Sequence, residues 1–185
     1  MEQPETRYVS VGEADVAYQV IGDGPLDLLF CYGLGNHIEL IDTLGVGDLL
    51  TRLSSFSRLI WFDRRGTGAS DGVPATVPTW EEWTEDMSAV LAAAGSGRAA
   101  LLACLDTGPV AILYAAMHPE VVSALVLLNA GARYPWAADY PIGASPPTLS
   151  TPCTKCWPPA GDRRNSPASA TPAWLTTTTT SVGRP

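Results

Sequence analysis

Lysine is absent from the first 154 residues of this 185-residue chain, histidine occurs only at positions 37 and 118, and cysteine occurs four times. With no lysine behind a glycine loop, the phosphate-cradling pattern G-x-x-x-x-G-K-[ST] is missing, and "GDGP" and "GLG" remain plain glycine turns. Four scattered cysteines make no disulfide framework. Cys31 and Cys104 sit in apolar runs and read as small core residues. Cys153 and Cys156 form one C-x-x-C, which lacks the second ligand pair of a zinc site. No metal and no cofactor is expected. No apolar run reaches 18 residues, so no membrane span is expected. The polar, acidic start "MEQPETRYVS" has neither the basic head nor the apolar stretch of a signal peptide, which points to the cytoplasm.

The net charge of −8 argues against nucleic acid or an anionic membrane as partner. It is unevenly spread. Residues 1–145 carry 7 Arg against 18 Asp and Glu, whereas residues 146–185 carry Lys155, Arg163, Arg164 and Arg184 against Asp162 alone. Oligomeric state leaves no mark on this sequence.

What is present is a series of apolar runs separated by glycine loops. "ADVAYQVIG" alternates as a strand does, and Gly22-Asp23-Gly24-Pro25 supplies the turn behind it. "LDLLFCYG", "SRLIWFD", "AALLACL" and "VSALVLLNA" are near-continuous apolar runs, the pattern of strands covered on both faces. Residues 39–55 read as partly helical. Thr79 and Glu82 have capping-box spacing ahead of "WEEWTEDMSAVLAAAG", a helix expected to stop at Gly95. Pro109 suits the first turn of a helix through "VAILYAAMH", closed by Pro119. Strands alternating with helices predict an α/β fold, a mostly parallel doubly wound sheet in one domain over residues 1–145.

Beyond Ser145 this pattern stops. Eight of the sixteen prolines fall in the last forty residues, together with the run Thr176–Thr180. The segment 146–185 reads as a disordered Pro/Thr-rich tail. Translated one base out of register, "PTLSTPCTKCWPPAG" permits A-D-A-V-D-A-M-Y-E-V-L-A-A-G-W, an amphipathic acidic helix; one residue is forced, because Trp157 has a single codon and Pro158 must become Ala. A frameshift removes the charge, proline and periodicity anomalies together, so the tail is expected to be out of frame and the C-x-x-C accidental.

"FDRRGTGASDG" is the most specific signal: Asp63, Arg65, Gly66, Gly68 and Ser70 make D-x-R-G-x-G-x-S. With "FCYGLG" upstream and "LLACLDTGPVAILYAAMHPE" downstream, it resembles the α/β-hydrolase family over about residues 7–145. "TRYVSVGEADVAYQVIGDGPLDLLF" and "GARYPWAADYPIGAS" look closer still to the hydrolase- and lipase-like domains associated with mycobacterial nucleotide cyclases. The resemblance implies that D-x-R-G-x-G-x-S is a fold-shaping loop, and that "CYGLG" contributes an oxyanion donor, with Gly33 in the loop and the Leu34 N–H as candidate, His37 able to line the pocket, and Asp106, the residue after the nucleophile position, giving the second N–H. It implies a nucleophile elbow G-x-S-x-G. Aligning "GPVA" puts Ala103 and Thr107 at the glycines and Leu105 at the serine. Leucine has no nucleophilic atom. Asp106 is one residue out of place for an aspartate nucleophile and reads as a turn residue near a helix N-terminus. The implied order is nucleophile, acid, histidine, yet no histidine follows His118, which reads as a helix C-cap. Trp80 and Trp83 read as core and lid packing.

The resemblance thus implies a carboxylic-ester or lipase-like hydrolase, while the residues present predict a chain that does not catalyse that reaction. A non-catalytic sensing domain for a small apolar or ester ligand is the alternative, as is a truncated product without function, whose exposed sheet edge would favour aggregation.

Overall fold

The computed structural model describes residues 4–33, 36–40, 45–72, 77–133 and 135–141. The chain divides into two units, Met1–Ala144 and Ser145–Pro185, and every described residue lies in the first. The expectations for the tail, its frame and its C-x-x-C lie outside the described residues, as does Leu34.

Six strands form one sheet: β1 (Arg7–Val11), β2 (Ala14–Ile21), β3 (Leu26–Cys31), β4 (Ser57–Phe62), β5 (Ala99–Cys104) and β6 (Val122–Leu128). Their order in space is β1-β2-β4-β3-β5-β6. The pairings β4–β3, β3–β5 and β5–β6 are parallel, while β1 and β2 enter as an antiparallel hairpin turned at Gly12, with β2 antiparallel to β4. The predicted α/β sheet is therefore present. β1 was not expected, because "RYVSV" is short, half exposed and carries only two aliphatic side chains.

Among the described residues, three helices flank the sheet: α1 (Gly47–Ser54), α2 (Trp80–Ala93) and α3 (Gly108–Met117). Strand side chains alternate between two cores, as the period of two requires. Leu29, Cys31, Ile60, Phe62, Leu101 and Ala103 face α2 and α3, meeting Met87, Val90, Val110 and Tyr114. Leu28, Phe30, Leu59, Trp61, Leu102 and Cys104 face the other way, toward Ile38, Val46 and Leu50 of α1 and its approach.

The helix ends obey local chemistry. Thr79 Oγ1 accepts from the Glu82 N–H at 3.2 Å, and Glu82 Oε2 accepts from the Thr79 N–H at 2.7 Å, the reciprocal box expected from the sequence. α2 closes on Gly95 at φ +69°, where the Ser96 N–H reaches back to the Leu91 carbonyl.

One expectation fails. β6 reads as a strand covered on both faces, but Val126, Leu127 and Leu128 are 52%, 39% and 51% exposed. Among the described residues nothing pairs with its outer edge. No helix among the described residues is long and apolar enough to cross a membrane.

Candidate functional site

The C-terminal ends of the parallel strands converge on one turn. β5 ends at Cys104, Leu105 adopts φ +56°, residues 105–107 make one 3-10 turn, and α3 begins at Gly108. A left-handed conformation costs an L-residue roughly 1–2 kcal/mol. Leucine lacks the short polar side chain that lets Asn or Asp compensate for it, so the surroundings must hold the turn.

They hold it from three sides. The Thr107 hydroxyl, fully buried, accepts from the Cys104 N–H at 3.0 Å and donates to the Cys31 carbonyl at 2.7 Å, tying the turn to the end of β3. Gly33 lies against the turn so closely that a Cβ there would fall on Asp106 Oδ1 and within 3.0 Å of Leu105 Cβ. Behind it, a Cβ on Gly108 would come within 2.8 Å of Ala130 Cβ, so the first turn of α3 seats directly on the segment after β6.

The Leu105 side chain is 38% exposed at the tip. Asp106 turns instead toward the loop after β4, where its Oδ2 accepts from Arg64 Nη2 at 2.8 Å. Arg64 is nearly enclosed, its side chain 8% exposed against 25% for Asp106, and its guanidinium lies 4.6 Å over the Trp83 ring. One ion pair and one cation–π contact thus join the β4 loop, the turn and α2.

The D-x-R-G-x-G-x-S loop is built around Asp63. Its fully buried carboxylate accepts from the Ile38 N–H at 3.1 Å and the Ala69 N–H at 2.8 Å through Oδ2, while Oδ1 has no partner among the described residues. Burial pushes the Asp63 carboxyl above its ordinary value, partly opposed by those two N–H bonds. Gly68, at φ +56°, packs so tightly on this carboxylate that a Cβ would overlap it. Gly66 has φ +82°, and its N–H donates to the Asp71 carbonyl at 2.7 Å. Ser70 Oγ donates to the Asp63 carbonyl at 2.6 Å and accepts from the Ala17 N–H at 2.8 Å. Arg65 points away from the turn, to Asp86 of α2 at 2.6 Å. Burial likewise raises the Asp86 carboxyl, with Arg65 opposing it.

His118 stays apart from this cluster, whereas His37 neighbours Asp63 and is one of the groups that act on its carboxyl. His118 caps α3, its N–H donating to the Tyr114 carbonyl, with its ring 4.6 Å from that of Tyr114 and Nδ1 3.8 Å from Glu120. α3 has ten residues, which at 1.5 Å per residue sets His118 about 15 Å from the turn. His37 Nδ1 accepts weakly from the Glu39 N–H at 3.4 Å. Trp80 and Trp83 meet edge to face at 5.7 Å. No cluster of metal-ligating side chains occurs among the described residues.

No family model and no curated protein matches the chain significantly. Solved structures do. An epoxide hydrolase mutant from Vigna radiata superposes with a TM-score of 0.62 at 24% identity, over 72% of this chain and 41% of that one. A hydrolase from Pseudomonas aeruginosa gives 0.58 at 26% identity, over 66% and 45%. A membrane phospholipase A, described as a bacterial virulence factor, gives 0.58 at 25%, over 68% and 39%.

The fold is that of the α/β-hydrolases.

The matched part of the chain spans about two-fifths of those enzymes. In an α/β-hydrolase fold, the sharp strand-to-helix turn is where a nucleophile is displayed. Here the residue with positive φ between β5 and α3 is Leu105. The family resemblance singled out Leu105, Asp106 and Gly33, which lie together in the structure. It missed Arg64, the partner of Asp106, because the D-x-R-G pattern directs attention to the second arginine of "DRRG" and leaves the first unassigned.

Proposed function

We propose that this chain is an α/β-hydrolase domain of esterase- or lipase-like descent that has lost acyl transfer. Leu105 carries this reading. It sits at φ +56° on the turn that ends β5, the one position that requires a nucleophilic atom, and offers only hydrocarbon.

Asp106 does not replace it. Its carboxylate is turned from the tip, held by Arg64 and pressed on Gly33, and in-line attack tolerates little misplacement. His118 does not serve as a base at the turn, since it is at the far end of α3 and acts as its cap. What remains is a rigid turn whose N–H groups and apolar surround suit binding rather than turnover.

A second reading follows from how firmly that turn is kept. A strained leucine held by Thr107, Gly33 and the Arg64–Asp106 pair supports a ligand-sensing domain, of the kind this sequence resembles beside nucleotide cyclases. A product without function would not be expected to retain such a set of supports.

The test is turnover of short-chain p-nitrophenyl esters by the full chain against a Leu105→Ala control. The reading expects both at the buffer rate. Saturable hydrolysis that the control loses would overturn it.

A further inference from the structure

We propose that the closed gap beneath the turn, lined by Arg64 and Trp83, opens to bind the carboxylate of a small apolar acid. This deepens the reading that the turn binds rather than turns over, and rests on it. Arg64 offers five N–H donors and uses one of them on Asp106. Trp83 has a buried Nε1–H with no acceptor among the described residues. Both residues line a closed gap, without room for a water molecule, whose other walls include Cys31, Phe62, Met87 and Val110. Unmet donors beside apolar walls select an acceptor-only head on a hydrocarbon body, which is a carboxylate rather than an amine or an alcohol.

The space is tighter than a water molecule as it stands, so a ligand must open it. The ion pair sets how. Arg64 is 8% exposed and cannot lose its counter-charge to an apolar site, whereas Asp106 is 25% exposed and can turn to solvent. An entering carboxylate therefore replaces Asp106 on the guanidinium, while the Trp83 ring keeps its cation–π face and its Nε1–H gains an acceptor. Asp106 is then the competitor that the ligand displaces.

This separates a binding role from a structural one. Calorimetric titration of the full chain uses octanoate, with octanamide as the neutral match. Octanoate is expected to bind at least tenfold more tightly than octanamide. Arg64→Gln should reduce octanoate to the affinity of the amide, and Asp106→Asn should raise octanoate affinity several-fold by freeing Arg64. If the pair is merely structural, both substitutions weaken binding alike, and that result overturns the proposal, as does equal binding of acid and amide or no binding of octanoate. Should Arg64→Gln unfold by circular dichroism, Trp83→Phe keeps the ring and removes the N–H. It should weaken octanoate several-fold, and unchanged affinity would overturn the proposal. Hydrolysis of an octanoyl ester would defeat the earlier reading without touching acid binding, while failure to bind octanoate defeats this one and leaves the other standing.

Discussion

A methyl group placed on Gly33 would fall on the Asp106 Oδ1 atom, so the loop after β3 and the turn after β5 are in direct contact. Gly33→Ala must push the carboxylate off Arg64 or shift the Cys104 carbonyl, which lies 3.3 Å from the new Cβ. Overpacking of this kind costs about 1–3 kcal/mol. Chemical denaturation should report that loss, and it should shrink in an Asp106→Ala background. An unchanged penalty in the double variant would mean that the two residues do not couple.

The strain at Leu105 is open to the same treatment. Asn tolerates the left-handed region, and a residue 38% exposed loses little packing when replaced. Leu105→Asn should therefore hold or raise stability, by up to about 1 kcal/mol. A clear fall in melting temperature would show that the leucine side chain, and not the backbone of the turn, is what the fold uses.

Two carboxylates, the buried Asp63 and the partly exposed Asp27, give stability a pH dependence of opposite sign. Asp63 is raised by burial, so its contribution is complete below the ordinary value of 3.8 and is lost as pH rises through the elevated one. Asp27 is lowered, first by its hydrogen bonds from Arg58 at 2.6 and 2.7 Å, so its contribution is present above 3.8 and is lost as pH falls through the depressed one. In Asp63→Asn the amide oxygen can keep both N–H bonds, and no charge is buried. Melting temperatures between pH 4 and 8 should show the variant gaining on the native chain as pH rises. Parallel curves would remove the charge penalty from the account.

How much of this was legible in the sequence follows from the range of the forces. Thr79 and Glu82 announce their cap three residues apart, and runs such as "SRLIWF" announce a buried strand by themselves. β1 has no such signal, because its pairing with β2, and not its own side chains, makes it a strand. Only residues 47–54 of the stretch 39–55 form a helix among those described. The position of Leu105 followed from the family resemblance through "GPVA", but its surroundings did not. Arg64 and Asp106 are 42 residues apart, and only the parallel register of β4, β3 and β5 brings them together.

The outer edge of β6 carries the last structural prediction. Val126 and Leu128 are half exposed on a strand with no charged residue to discourage pairing with another copy. Val126→Lys should reduce self-association in light scattering while changing stability by no more than about 0.5 kcal/mol. Unaltered association would place the sticky surface elsewhere.

The absence of a nucleophile at the turn is tested most directly by mass spectrometry of the protein during exposure to a p-nitrophenyl ester and to styrene oxide. The account predicts no adduct on the peptide that holds Leu105, Asp106 and Thr107. A stoichiometric acyl or alkyl adduct on Asp106, discharged on standing in water, would contradict it.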